Sequence, residues 1–497
     1  MKPGFRPAMT WLHDWSGLVI GWLLLAIALA GTLSVFREEI GSWARPEVSR
    51  AANDPVATTQ AAVDWLSRHA ATSPAWYLQP ADGRASTTQA IWQQGGDYVT
   101  RALDPRTGSP DGIRDTLGGD FFYRLHFELE LPYPWGRILS GSAAMLMVLA
   151  ILTGIVAHRR FFADFFTFRP GKGQRSWLDA HNMLGVAALP FHLLIAFTGA
   201  VTLANLLMPW GALAGYQGDV AAIRHDLYPA EVARNASGRP APLAPIAPLL
   251  HEAEQRFGGH VGQIAIVNPG DRAAVVTITR AGDDRIAIQS HVLSFDGVTG
   301  RILAEHVERR PALVVFNTLY GLHMGRFGDG LTRWLYFLSG LMLSGVIGSG
   351  LILWTAKRRE RRRGFGFALV ERLNIGFVAG TPTAFAAFFL ANRLLPGTLP
   401  ARQEAEVHAV FWTWGALLVF AMLRRPDRAW RELLALAAIA CAAVPILDGV
   451  RGTAQLDGPS LGVAMVAFFC AFVLAYAARR ASRPRVQATA RQTVPVA

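Results

Sequence analysis

The chain has 497 residues, of which 52% are hydrophobic and only 17% are charged, and this balance is too apolar for a soluble globular protein of that length. The composition therefore predicts a polytopic membrane protein. The two cysteines, Cys441 and Cys470, both lie in apolar runs, which excludes a disulfide framework, a thiolate zinc site and a cysteine-held iron–sulfur cluster.

Eight apolar tracts are predicted to cross the membrane as helices. Most are runs of about twenty residues that are poor in Asp, Glu, Lys and Arg, which is the length a helix needs to cross the bilayer core. Two long segments between the first four tracts are polar enough to lie outside the membrane. The predicted order is TM1 (8–36), outer segment 1 (37–137), TM2 (138–158), a basic loop (159–178), TM3 (179–210), outer segment 2 (211–330), TM4 (331–356), a second basic loop (357–372), four further helices (373–479) and a tail (480–497).

The basic residues lie mostly on one side of these helices. They follow the second, fourth and sixth tracts and recur in the tail, whereas the connections after the fifth and seventh tracts carry few. The positive-inside rule therefore predicts that both termini and the basic loops are cytoplasmic and that the two outer segments lie on the far side. This asymmetry accounts for most of the net charge of +12, so nucleic-acid binding is not expected.

Both outer segments have the pattern of a small α/β module. Each contains a D-x-x-T-G turn, at Asp104–Gly108 in the first segment and at Asp296–Gly300 in the second. The recurrence of this turn predicts that one module is a copy of the other. The predicted helices are 61–69 and 248–257, and the predicted strands lie in 90–103, 261–267 and 273–279.

The membrane helices carry a second sign of duplication, because histidines superpose when the sequence is shifted on itself. TM1 and TM2 are therefore predicted to be copied as TM3 and TM4. An even number of helices per copy preserves orientation, so we expect a parallel repeat with a pseudo-twofold axis along the membrane normal. A shift of 168 residues lays His13 on His181, Gly17 on Gly185 and Gly31 on Gly199, and a shift of 197 lays His126 on His323.

This symmetry predicts paired imidazoles at two depths, which is what six-coordinate haem iron needs from a helical bundle. Gly17 and Gly185 each follow a histidine by one turn and would leave room for a porphyrin face, although close helix packing also explains a single glycine. His192 lies eleven residues after His181, about 16 Å along the same helix face. One helix could then give a ligand to each of two haems. The alternative is that these histidines are interfacial polar residues.

Six motifs in this part of the chain resemble the PepSY-associated transmembrane family. The resemblance covers roughly residues 8 to 362 and leaves four further helices beyond it. The motifs are LHDWxG at 12–17, RLH at 124–126, GRxLxG at 136–141, HNxxG at 181–185, LPFH at 189–192 followed by Thr198-Gly199, and LHxG at 322–325.

The resemblance implies a bacterial inner-membrane protein with two periplasmic PepSY-like segments, similar to ferric-siderophore reductases that hold two b-type haems in a four-helix core. The family pattern carries over to His13, His126, His181 and His323 as axial ligands, with His192 present in a subset of the family. Which imidazoles share an iron is not given by the motifs.

We therefore expect transmembrane electron transfer. A cytoplasmic or quinol donor would reduce a haem near His13 and His181, and a haem near His126, His323 and His192 would pass the electron to a periplasmic ferric siderophore or other ferric chelate. Reduction would release iron, because oxygen donors that suit Fe(III) hold Fe(II) less well. The fold class expected is an all-α bundle of about eight helices with two small α/β segments.

Two alternatives remain open on the sequence. The protein could be a haem-free scaffold or regulator whose outer modules bind a periplasmic peptide or protein. It could instead transport a metal or its chelate, although the parallel repeat and the lack of acidic residues within the uncharged stretches of the first four tracts, such as 15–36 and 180–210, argue against ion coupling there.

Overall fold

The computed structural model describes residues 4–49, 54–158, 162–163, 165–288, 291–359 and 364–481. The predicted tail therefore lies outside the described residues from position 482 onward, as do parts of both basic loops. The chain divides into two compact units. The first, here called the core unit, comprises Met1–Arg362, Leu395–Val407 and Asp457–Ser460, and the C-terminal unit comprises Arg363–Leu394, His408–Leu456 and Leu461–Ala497.

Eighteen helices occur among the described residues. The longest run through the predicted membrane tracts, and the short ones connect them to the sheet. They are α1 (Phe5–Ser34), α2 (Arg37–Trp43), α3 (Pro55–His69), α4 (Asp120–Phe127), α5 (Trp135–Ala157), α6 (Gln174–Ala187), α7 (Leu189–Thr202), α8 (Ala204–Leu207), α9 (Trp210–Gly215), α10 (Val220–Leu227), α11 (Ile246–Phe257), α12 (Pro311–Met324), α13 (Gly330–Arg358), α14 (Phe365–Val378), α15 (Gly380–Leu394), α16 (Arg402–Leu423), α17 (Pro426–Val450) and α18 (Gly458–Ala481).

Seven helices of the described chain are long and apolar enough to cross a membrane, if the run through α14 and α15 counts as one. An eighth span is possible where α6 and α7 form a pair bent by 72°. The uncharged tract predicted as the single helix TM3 is thus two helices. The break coincides with Pro190 in the first turn of α7, where proline lacks the N–H that would continue the preceding helix. The protein is a multi-pass membrane protein.

The core unit is built on α1, α5, α7 and α13, with α6 leading into α7. Helix α1 packs against both α5 and α13, while α5 packs against α7 and α13 against α6. Two short helices then lie against this bundle, α4 on α1 and α12 on α7. An apolar cluster including Leu24, Met147 and Leu343 fills the space between the long helices. This packing brings α1, α4, α6 and α12 to neighbouring positions.

The two outer segments form one seven-stranded antiparallel sheet, and not the two separate modules that the sequence predicts. Strand β1 of the first segment pairs with β4 of the second, with Trp76 opposite Ile266. Helices α3 and α11 pack on the sheet and bury one apolar core with it. The spatial order is β3-β2-β1-β4-β5-β6-β7, with β1 Ala75–Gln79, β2 Thr88–Gln94, β3 Asp97–Leu103, β4 Val261–Val267, β5 Val275–Arg280, β6 His291–Asp296 and β7 Ile302–Val307.

The expected fold class is therefore confirmed in its coarser part, as a helical multi-pass membrane protein that also carries an antiparallel sheet. The first outer segment supplies three strands and the second supplies four. The internal repeat and the PepSY-like nature of the two segments stay predictions. Each segment alone would leave one strand edge unpaired, β1 in the first and β4 in the second, and the joined sheet pairs these two edges with each other.

The C-terminal unit has its own packed core. Helices α15 and α17 are in contact along their length, and an apolar cluster that includes Ile375, Leu417 and Leu433 lies within the unit. One ion pair is buried here, between Arg393 Nε and Asp448 Oδ1 at 2.5 Å. Because an unpaired charge inside a membrane bundle is costly, this pair satisfies both groups at once.

The second D-x-x-T-G turn is held by the Asp296 carboxylate. Its Oδ1 accepts hydrogen bonds from the Thr299 N–H and hydroxyl, both at 2.9 Å, and its Oδ2 accepts one from Arg234 at 2.8 Å. Burial of the carboxyl group favours its neutral form, but these donors outweigh burial and lower the Asp296 pKa below its ordinary value. The turn therefore depends on the charged form.

We predict that Asp296→Ala destabilises the sheet by about 1 to 3 kcal/mol at neutral pH, because it leaves Arg234 and the turn N–H groups without their acceptor. A lowered pKa stabilises the fold above the ordinary carboxyl range and stops doing so as the pH falls below about 4. The deficit in melting temperature, followed by tryptophan fluorescence, should thus shrink at low pH. The exposed Asp283→Ala is the control. An equal deficit at both pH values would contradict this role.

Candidate functional site

Four histidines from four different helices meet as two pairs. The rings of His13 on α1 and His181 on α6 have centroids 6.2 Å apart and planes inclined at 64°. The rings of His126 on α4 and His323 on α12 have centroids 5.8 Å apart and planes inclined at 24°. The residues that superpose in the shifted sequence are therefore the residues that face each other in the structure.

Each of these rings is anchored through its Nδ1 atom. His13, His126 and His181 lie 2.9 Å from the backbone carbonyl oxygens of Ala150, Ile27 and Val346 respectively. A carbonyl can only accept, so Nδ1 carries the hydrogen and Nε2 keeps its lone pair. His323 Nδ1 lies 3.1 Å from the Thr198 hydroxyl and also bonds the backbone of Ile195.

A glycine lies beside every anchored ring, four residues after the helix carbonyl that holds it. A helical side chain covers the turn that precedes its own Cα, so a side chain at this position would lie where the imidazole approaches. Glycine is thus required for the contact. An added Cβ would come within 3.0 Å of His13 at Gly154, 2.6 Å of His126 at Gly31, 3.1 Å of His181 at Gly350 and 2.9 Å of His323 at Gly199.

The ring separation in both pairs fits two imidazoles on opposite sides of one metal ion. Because a metal–imidazole bond is about 2 Å long and the ring centre lies roughly 1 Å behind the nitrogen, such rings have centroids about 6 Å apart. Among the described residues, no group of three or more His, Cys, Asp or Glu side chains is arranged so that it could hold a metal ion by itself. Each pair can therefore supply two opposite ligands, while the remaining positions need ligands from outside these side chains.

A cavity adjoins each pair. The first cavity has a volume of about 410 Å³ and is lined by His13, His181, Gly17 and Gly185, among others. A Cβ added at either of these two glycines would meet no atom within 4 Å, so both leave space open on the cavity wall. The second cavity, of about 320 Å³, is lined by His126, His323, Gly31 and Gly199, among others.

His192 lines the first cavity and not the second, so its predicted position near His126 and His323 is wrong. Its side chain is 2% exposed, one ring nitrogen bonds the backbone of Ser339, and its Nε2 has no hydrogen-bond partner in the described structure. The bend between α6 and α7 explains the difference, because residues 181 and 192 no longer lie along one straight helix.

The two cavities share part of their walls. Leu24 of α1, Met147 of α5 and Leu343 of α13 line both. These three side chains belong to the apolar cluster of the core unit. All three side chains that line both cavities are apolar, so the wall shared by the two cavities contains no ionisable side chain.

The chain belongs to the PepSY-associated TM region family. Residues 10–357 match the family, and this stretch contains both histidine pairs and all four glycines that contact them. The chain is also similar to an uncharacterized protein of Pseudomonas aeruginosa, with 29% identity over 400 residues that cover 74% of this chain and 98% of that protein. The whole C-terminal unit lies beyond the family match.

Sequence reasoning within this family region found the histidines but missed two of the glycines. Gly31 and Gly199 superpose under the shift of 168 residues, whereas Gly154 and Gly350 superpose under a shift of 196, one less than the shift that matches His126 and His323. Because the shifts of 196 and 197 differ by only one residue, the match of Gly154 with Gly350 was a signal in the sequence from which these two glycines could have been predicted. The carbonyl acceptors could not be found in this way, because every residue carries one.

We predict that Gly31→Ala displaces the His126 ring, because the new Cβ would lie 2.6 Å from Nδ1. Overpacking of this kind costs about 1 to 3 kcal/mol, which should appear as a lower melting temperature of the detergent-purified protein. Gly415→Ala is the control, since a Cβ there meets nothing within 4 Å. Unchanged stability of Gly31→Ala would show that the ring is not held as described.

Proposed function

We propose that the protein moves electrons across the bacterial inner membrane through two b-type haems and reduces a ferric siderophore or similar ferric chelate on the periplasmic side. The observation that carries this proposal is the pair of facing imidazoles at each cavity. Haem iron takes two axial ligands from protein and four from its porphyrin. Each histidine pair would supply the two axial ligands, and the porphyrin would supply the other four.

The donor set and the space around it both fit haem. Anchored imidazoles with a free Nε2 lone pair are good axial ligands, and a hydrogen bond from the other ring nitrogen fixes the ring and makes it more basic. Gly17 and Gly185 leave the wall of the first cavity open beside its pair. The alternatives of a haem-free regulator and of a transporter give the facing imidazoles and their glycines no role.

A bound haem would supply one-electron exchange between Fe(III) and Fe(II), and the chain's own residues set its conditions. The two pairs hold their rings at fixed separation. Leu24, Met147 and Leu343 line both cavities, so the wall that the cavities share is apolar. The burial of the haem and the identity of its axial ligands are two of the factors that set its reduction potential.

Charged residues at the ends of the two cavities support a direction of transfer. The first cavity is lined by Lys357 and Arg358, next to a basic loop that the positive-inside rule assigns to the cytoplasm. The second is lined by Arg37 and by Arg84 from the β1–β2 connection of the sheet. We propose that electrons enter at the first pair, from a cytoplasmic or quinol donor, and leave at the second.

We predict two haems per chain by pyridine haemochrome assay of the purified protein. His181→Ala and His323→Ala should each reduce this ratio to about one, because each removes one of two axial ligands from a single pair. His408→Ala, an exposed histidine on α16, is the matched control and should keep both haems. A colourless folded protein would exclude the proposal.

Reduction of the ferric chelate is tested by a second measurement, which follows the reoxidation of the haem. Dithionite-reduced protein should be reoxidised on mixing with a ferric chelate, with Fe(II) appearing in step as trapped by a ferrous indicator. His323→Ala should slow reoxidation while leaving the haem at the first pair reducible. Haem binding without any reoxidation by ferric chelates would keep the haem assignment and overturn the substrate.

A further inference from the structure

The wall of the second cavity near the sheet carries an excess of positive charge. Four arginines from four separate segments line it, together with one carboxyl group among the described residues that line this cavity. We call these five residues the polar wall. They are Arg37 of α2, Glu38 of α2, Arg84 of the β1–β2 connection, Arg137 of α5 and Arg326 after α12.

Arg326 differs from the other three arginines of the polar wall. No carboxylate oxygen of the described residues lies within ion-pair distance of its guanidinium, so its charge is not neutralised by a direct partner. The other three are already paired, Arg37 with Asp120, Arg84 with Glu39 at 3.0 Å and Arg137 with Glu128 at 2.7 Å.

The position of Arg326 is fixed by the same turn that places His323. Helix α12 ends at Met324 and is capped by Gly325, whose φ of 62° is left-handed and suits glycine. The Tyr336 hydroxyl donates to the Leu322 carbonyl at 2.8 Å, and the Tyr336 ring packs on Gly325. A cation thus follows the imidazole by three residues and lines the same cavity.

The Glu38 carboxyl group lies beside Arg37, with Oε1 3.9 Å from Arg37 Nε, and makes no ion pair with Arg326 among the described residues. Burial of its carboxyl group raises the Glu38 pKa above the ordinary value, although Arg37 and Arg326 act in the opposite direction. The polar wall therefore favours a ligand that carries a negative charge. A guanidinium at an apolar cavity wall binds a carboxylate through two parallel hydrogen bonds, which a lysine cannot reproduce.

We propose that Arg326 binds a carboxylate group of the molecule that occupies the second cavity. This inference rests on the proposed function, which offers two sources of the carboxylate. One is a propionate of the porphyrin held between His126 and His323, and the other is a carboxylate of an anionic ferric chelate at the polar wall. The bond formed is the same in both cases.

The porphyrin source is tested by haem release. Transfer of haem from the two-haem protein to apomyoglobin should show two phases, and Arg326→Gln should speed one of them about tenfold, as expected for loss of a charge-assisted pair. Protein reconstituted with haemin dimethyl ester, whose propionates are blocked, should release it at the same rate with and without the substitution. Arg272→Gln, an exposed arginine of the sheet region, is the control.

The chelate source is tested by reoxidation of the reduced protein. Arg326→Gln should raise the half-saturating concentration of ferric citrate about tenfold and leave that of a neutral ferric trihydroxamate unchanged. Arg326→Lys keeps the charge without the two-pronged geometry, so its effect should be intermediate in whichever arm responds. If Arg326→Gln does not fold, Arg326→Lys still tests the proposal. Two parallel hydrogen bonds from the guanidinium require that the lysine variant releases haem faster or needs more ferric citrate for half-saturation.

The outcomes separate the two proposals. Wild-type protein without haem would overturn the proposed function. Two haems in wild-type protein, with haem release and citrate dependence unchanged in both Arg326 variants relative to Arg272→Gln, would overturn the carboxylate site alone. An accelerated release phase or a citrate-specific loss would support the site and identify its source.

Discussion

The core unit depends on one arrangement, in which an imidazole is hydrogen-bonded to a neighbouring helix beside a glycine. Nδ1 donates to a helix carbonyl in His13, His126 and His181, and in His323 it lies 3.1 Å from the Thr198 hydroxyl. The contact needs three elements at once, a histidine on one helix, an acceptor on its neighbour and no side chain four residues beyond that acceptor. It fixes which ring nitrogen carries the proton and leaves the other with its lone pair. Both the facing geometry and the proposed haem ligation follow from it, since a ring free to rotate would present either nitrogen.

The surrounding structure serves to bring these contacts together. Helices α1 and α5 meet where His13 reaches Ala150, and α6 meets α13 where His181 reaches Val346. The short helices α4 and α12 carry the second pair and connect the bundle to the sheet. That sheet joins the two outer segments through β1 and β4, so the chain before α5 and the chain before α13 are held together at the second pair.

Much of this could be predicted from local sequence, because membrane tracts and amphipathic strands have strong periodicity. Strand β4 has the bounds predicted for it, whereas β1, β6 and β7 were missed. Strand β1 is only five residues long, and neither β6 nor β7 has a regular alternation of buried and exposed residues. The joining of two modules into one sheet was not predictable, since pairing between distant strands leaves no local pattern. Pro190 is visible in the sequence as a residue that can break a helix. Its consequence, which is that His192 lines the first cavity, could not be predicted from the sequence.

The central claim is that two imidazole pairs each ligate one haem with the ring angles seen here, and electron paramagnetic resonance of the oxidised protein tests it most directly. The angle between axial imidazole planes sets the anisotropy of a low-spin ferric haem. The account predicts two low-spin signals, a rhombic one from the pair at 24° and a highly anisotropic one from the pair at 64°. A single signal, two identical signals, or high-spin haem alone would contradict it.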